Sequence, residues 1–228
     1  MAQSILKKKL NCSYKKTRLI PGKAQSVYVQ KNFIGLMESL YECALRNDKE
    51  VLLFADPMHQ IHNVENDYAW QEIGRAGTKE IASNTGRRRL NIIGAINPVT
   101  MQPTILLEEE NCNADSIVRL LEAIKRQYKK AETICLILDN ARYQKGVIAQ
   151  SKAKELGIDL VYLPPYSPNL NLIERLWKFF KKKIMKNKYY EDFKTFKIAV
   201  EQFFENFDQY KSQLITLLNF KFGIIKAI

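Results

Sequence analysis

Several things are scarce in this 228-residue chain, and each scarcity excludes something. No apolar run approaches the roughly 20 residues of a membrane-spanning helix. The lysine-rich start, Met1 to Leu10, is not followed by the apolar region of an export signal. The four cysteines, Cys12, Cys43, Cys112 and Cys135, include no Cys-x-x-Cys pair, so neither a zinc knuckle nor a redox motif is indicated, and reduced packing residues are expected. No internal repeat or low-complexity tract is present. Acidic residues are also short, 24 against 36 basic ones, which leaves a formal charge of +12. A balance this basic favours a polyanionic partner, because cationic side chains displace the counterions condensed on nucleic acid. No membrane partner is expected, and a soluble, cytoplasmic protein is.

What is present is an ordinary globular composition, 46% hydrophobic and 26% charged, in a chain long enough to bury one large core. The positive charge is clustered at Lys7 to Lys9, Lys15 and Lys16, Arg87 to Arg89, and Lys178 through Lys188. Solvated lysine faces are the ordinary alternative. Lys7 to Lys23 has too few apolar residues for a core of its own, so residues 1–30 read as a basic tail or linker.

From Lys31 to Asn47, apolar residues recur at helical spacing and predict an amphipathic helix. Val51-Leu-Leu-Phe-Ala-Asp56 then reads as a buried strand stopped by Pro57. Leu90 to Ile96 and Thr104 to Glu108 predict an antiparallel pair, and Asp115 to Tyr128 a helix with Ile117, Leu120, Leu121 and Ile124 inward. The run Ile134-Cys-Leu-Ile-Leu-Asp139 predicts a second buried strand ending in aspartate. A helix from Gly146 to Leu156 capped by Gly157 and a short strand from Leu160 to Leu163 follow. Pro164, Pro165 and Pro168 forbid a helix until Asn169, after which Ile173, Leu176, Trp177, Phe180 and Ile184 mark one apolar face. Glu174, Lys178, Lys181 and Met185 lie about 100° around from that stripe. Tyr190 to Phe207 predicts a helix whose phenylalanines are core rather than a base-stacking platform, and Leu214 to Ile228 could add a short one. The order describes an α/β fold, a mixed sheet with helices packed on it.

Asp56 and Asp139 thus emerge at strand ends, and Glu174 sits on the rim of a helix with 34 residues between it and Asp139. Each has a bland reading. Asp56-Pro57 and Asp139-Asn140 fit Asx turns, and Asn171 with Glu174 fits an N-cap and capping box. Read together, three convergent carboxylates repel unless a proton or a divalent cation intervenes. Oxygen ligands suit Mg²⁺ or Mn²⁺, and two such ions about 3.5 to 4 Å apart clamp the attacking and leaving oxygens of a phosphoryl displacement. A rival site is Asp56, His59 and His62, at intervals of three, where imidazoles would shift the preference to zinc or iron.

The run Leu138-Asp139-Asn140-Ala141-Arg142-Tyr143, followed by Tyr162-Leu-Pro-Pro-Tyr-Ser-Pro-Asn-Leu-Asn-Leu-Ile-Glu174-Arg175-Leu176-Trp177, resembles the catalytic core of mariner-like transposases in their bacterial insertion-sequence branch. The resemblance covers roughly Val51 to Asn206. It implies a ribonuclease-H-like, retroviral-integrase-like fold, with helices on both faces of the sheet, and an Asp, Asp, Glu triad of catalytic metal ligands at Asp56, Asp139 and Glu174. It further implies two Mg²⁺ ions, for which Mn²⁺ can substitute, with Asp56 bridging both and Asp139 and Glu174 each completing one shell. The implied function is DNA strand cleavage and strand transfer at the ends of an insertion sequence. Two positions depart from the family pattern: Pro57 follows Asp56 where Glu is frequent, and Gln144 stands where His is frequent.

The implied partners are double-stranded DNA, as transposon ends and target, and a second copy of the chain assembled on it, which makes the protein nucleoid-associated. Candidate DNA contacts are Arg142, Arg175, Lys178, Lys181, Lys182, Arg87, Arg88 and Arg89. The expected organisation is a tail or linker at 1–30, a remnant of the family's DNA-binding region, then a catalytic domain at 31–208 and a C-terminal helical extension at 209–228. A helix-turn-helix segment could be separately encoded, with this chain the second of two overlapping frames or a truncated remnant. The alternatives are an inactive DNA-binding remnant and a host nuclease of the same fold.

Overall fold

In the computed structural model, which describes residues 12–13, 20–74 and 77–226, one strand feeds two cores. This is β1 (Glu50–Ile61), whose Leu52, Phe54 and Met58 join one buried cluster while Val51, Leu53 and Ala55 join another. Successive side chains of a strand point to opposite faces, so an unbroken apolar run is stable only where both faces are covered. β4 (Thr133–Leu138) divides the same way, with Cys135 and Ile137 on the first side and Ile134, Leu136 and Leu138 on the second.

With β2 (Arg89–Ile96), β3 (Pro103–Glu108) and β5 (Ile158–Tyr162), these strands form one sheet in the order β3-β2-β1-β4-β5. β1, β2 and β3 are antiparallel neighbours, while β4 and β5 run parallel to β1. The first face carries α1 (Val27–Arg46), α4 (Ile173–Ile184) and α5 (Phe193–Glu205); the second carries α2 (Ala114–Gln127) and α3 (Val147–Leu156). Helices therefore cover both faces of a mixed sheet, as expected. Asn113 and Ser116 form a capping box that starts α2, and Gly157, at φ 65°, ends α3. Among the described residues no helix is long and apolar enough to cross a membrane.

Several expectations are corrected. Pro57 does not stop β1, because pairing with β4 ends at Phe54 and only β2 continues alongside. Beyond that point β1 has an open edge, where a residue without an N–H is tolerated. Helix α1 starts at Val27, inside the expected linker, with Ser26 as its N-cap; most of residues 1–30 lie outside the described residues. Met185, expected on the basic rim, is buried, because α4 ends at Ile184 and the chain turns inward. Beyond α5, helix is confined to a 3₁₀ turn (Phe207–Tyr210) and α6 (Lys211–Leu217), and 219–226 runs without helix. That last segment packs back on α1: Phe220 stacks on Tyr41 at 4.0 Å, and Gln30 bonds both the N–H and the carbonyl of Ile225. Of the cysteines only Cys135 is buried; Cys12 and Cys43 are exposed.

Candidate active site

The sheet brings the two aspartates together. The last matched pair of the parallel strands is Phe54 with Ile137, so Asp56 and Asp139 lie two residues further on along neighbouring strands, which in sheets run about 4.8 Å apart. Alternation turns both toward the face that α4 covers. Glu174, in the first turn of α4, completes the set, and all three carboxylates line one cleft of about 210 Å³.

The bland readings fare differently. Asp139 does make an Asx turn, its Oδ1 accepting from the Ala141 N–H at 2.9 Å. Glu174 is not a capping partner: the N-cap of α4 is Leu172, without a side-chain cap bond. Asn171 instead donates from Nδ2 to the buried Ala55 carbonyl at 3.2 Å, tying the start of α4 to the residue before Asp56. Asn140 donates to the Leu163 carbonyl and joins the other side of the cleft to the proline loop. These two asparagines hold the cleft's walls together. Sequence reasoning missed both roles, although each asparagine stands beside a predicted ligand or in its motif.

Burial, then the Glu174 charge, then the Asp139 charge push the Asp56 carboxyl up to about 8. The Trp177 indole N–H opposes this, although the pair falls outside hydrogen-bond geometry. The indole reaches this position over Gly94, the register partner of Asp56; a Cβ there would lie 2.8 Å from the ring and 2.7 Å from Ile105. Burial and the Asp139 charge also raise the Tyr143 hydroxyl. Among the described residues no Lys, Arg or His pairs with Asp56, Asp139 or Glu174 within 4.0 Å.

A carboxylate held up by burial and two like charges is a site short of positive charge, and its donors are all oxygen. That donor set fits Mg²⁺ or Mn²⁺. The three side chains share the cleft without closing on a single point, since among the described residues no group of three acidic, His or Cys side chains is tight enough to hold one ion. The Asp56, His59 and His62 alternative fails. Asp56 and His59 sit on β1, where a spacing of three puts them on opposite faces, and His62 lies just past its end; His59 Nδ1 is 2.6 Å from Asn91 Oδ1, and His62 stacks on Phe196.

The candidate DNA contacts are scattered. Arg142, Lys178 and Lys182 are exposed. Arg175 is turned away: its guanidinium donates to the carbonyls of Leu217, Asn219 and Lys221 at 3.2, 2.6 and 2.8 Å and holds the C-terminal segment. Lys181 pairs with Glu65 at 3.1 Å. Arg87, Arg88 and Arg89 line a separate cleft with Glu109, Glu110, Asn111 and Asn113. There Arg88 pairs with Glu109 at 2.8 Å and lies 3.8 Å from the centre of the Phe193 ring.

A five-stranded mixed sheet with two aspartates on adjacent strands and a glutamate on a packed helix brings three carboxylates to one cleft, the arrangement of an acidic-triad fold. The family model described as DDE superfamily endonuclease matches residues 51–197, and the chain belongs to that family. It is 28% identical over 155 residues to the insertion element IS630 uncharacterized 39 kDa protein of Shigella sonnei, covering 67% of this chain and 43% of that protein. It is 30% identical over 82 residues to the uncharacterized protein y4pE/y4sA of Sinorhizobium fredii, covering 36% of this chain and 58% of that one. The chain thus spans about half the length of the curated relatives it matches. Among solved structures, the Mos1 strand transfer complex superposes with a TM-score of 0.71 at 15% identity, over 95% of this chain and 66% of that one. The catalytic domain of Mos1 mariner transposase does so with a TM-score of 0.58 at 13% identity, over 90% and 92%. The fold is ribonuclease-H-like.

Proposed function

We propose that this chain is the catalytic part of a transposase that cuts DNA at the ends of an insertion sequence and joins the cut ends to a target. The observation that carries this is the single cleft lined jointly by Asp56, Asp139 and Glu174. In this reading Asp56, Asp139 and Glu174 would together hold the divalent ions, with Asp56 shared between them and Asp139 and Glu174 each holding one. Such ions, when bound, activate water and stabilise the leaving oxygen. Mos1 paired-end complexes have been solved with Mg and with Mn, which supports the choice of metal. Burial and the two neighbouring carboxylates favour the protonated form of Asp56 in the metal-free cleft, and bound cations would favour its ionised form.

The chemistry needs no protein nucleophile. Water attacks phosphorus at the element's end, the P–O3′ bond breaks, and a free 3′ hydroxyl and a 5′ phosphate result. That hydroxyl then attacks a target phosphodiester, forming a new P–O3′ bond as the target's own 3′ oxygen leaves. Asn171 and Asn140 keep the two walls of the cleft in register throughout. The exposed Arg142, Lys178 and Lys182 serve the DNA backbone, and two copies assemble on paired ends. In this frame the catalytic domain runs from α1 to residue 208, a DNA-binding segment is encoded separately, and 219–226 is a strap folded back on the domain.

Nicking of supercoiled plasmid in Mg²⁺ tests the reading. Wild type should nick, while Asp139→Ala and Glu174→Ala should not; equal nicking by all three would refute it.

A further inference from the structure

Tyr166 has a backbone that its side chain does not explain. It sits at φ 57°, in the left-handed region that suits glycine or asparagine and is costly for an aromatic residue. The flanking sequence enforces this: Pro164 and Pro165 precede it, Pro168 follows, and the Ser167 hydroxyl donates to the Pro165 carbonyl at 3.3 Å. Ordinarily such strain is offset by packing of the side chain. Here the residue is 56% exposed, and among the described residues its ring stacks on no other ring and its hydroxyl makes no hydrogen bond. It is also the one aromatic residue lining the carboxylate cleft.

Strained backbone held by its surroundings is characteristic of functional positions. What the strain achieves here is placement, a flat apolar ring at the rim of a cleft suited to a phosphodiester. A nucleobase next to the phosphate in such a cleft has a face of matching size, and stacking does not depend on base identity. We infer that Tyr166 is a base-stacking residue, its ring taking the nucleobase beside the phosphodiester that the cleft cleaves. This rests on the proposed nuclease chemistry and adds to it the subsite that holds the base.

The full chain nicking supercoiled plasmid in Mg²⁺ provides the test, with thermal unfolding measured in parallel. Tyr166→Ala should raise KM about 5- to 150-fold, the equivalent of roughly 1–3 kcal/mol of stacking, with kcat far less affected. Tyr166→Phe, which keeps the ring, should recover most of that loss. Tyr166→Gly should lose binding like the alanine variant while its Tm stays level or rises, because glycine adopts the left-handed conformation without strain. This opposition of binding and stability would not arise from a merely structural role. An unchanged KM in Tyr166→Ala, or a lowered Tm in Tyr166→Gly, would overturn the inference. If nicking still depends on Glu174 in either case, only the stacking role falls. If Glu174→Ala nicks like wild type, the nuclease reading itself has failed and the stacking role falls with it.

Discussion

The acidic cleft and the arginine cleft stand on opposite electrostatic terms. In the arginine cleft, charges of both signs meet: Glu109 receives Arg88 at 2.8 Å and Lys197 at 3.1 Å, and Arg88 also covers the Phe193 ring. In the acidic cleft three carboxylates face one another, and the bonds around them tie backbone walls together without supplying positive charge. The first arrangement stabilises the free protein; the second costs it stability until cations arrive. Charge that is balanced within the chain serves the fold, and charge left unbalanced points to a partner.

Substitutions should separate the two clefts sharply. Glu174→Gln should lower nicking on the order of 1,000-fold or more, the scale of disabling a unit that acts as a whole, without lowering Tm. Arg88→Ala should do the reverse, costing about 1 kcal/mol of stability and leaving the metal-dependent step intact. A large loss of nicking in Arg88→Ala at low salt would blur the contrast.

The pH dependence of the metal-free protein sharpens it. With the Asp56 carboxyl raised from 3.8 to about 8, the folded state binds a proton that the unfolded chain has already released. Its contribution to stability therefore falls as pH rises from about 4 to about 8. Asp56→Asn lacks this slope, so urea unfolding should find it more stable than wild type at pH 8.5, by several kcal/mol at most, with the difference closing near pH 4.

Between these effects lies Arg175→Ala, which leaves three carbonyls without their donor. It should destabilise the fold by about 2–3 kcal/mol and increase proteolysis within 219–226.

Much of this was legible in the sequence, for identifiable reasons. Asp139 and Glu174 sit in motifs whose local form is fixed by an apolar strand and a proline-bounded helix start. That β1 and β4 are buried followed from unbroken apolar runs, while helices on both faces were implied by the family resemblance. What was hidden depended on distant neighbours. Pro57 looked like a strand terminator because sequence does not show where β4 stops pairing. Asn171 matched a capping box, but the Ala55 carbonyl claims its amide. Arg175, Lys181 and Arg88 counted toward a DNA-binding surface because composition records charge and not its partners; each is spent inside the molecule. The left-handed backbone at Tyr166 had only the surrounding prolines as a clue.

The most direct test of shared metal binding needs no DNA. Thermal unfolding at pH 8 should show Mg²⁺ raising the Tm of wild type and having little effect on Asp56→Asn, since the cations relieve a repulsion that the variant lacks. An equal Mg²⁺ shift in both proteins, or none in wild type, would contradict the claim that the three carboxylates bind cations jointly.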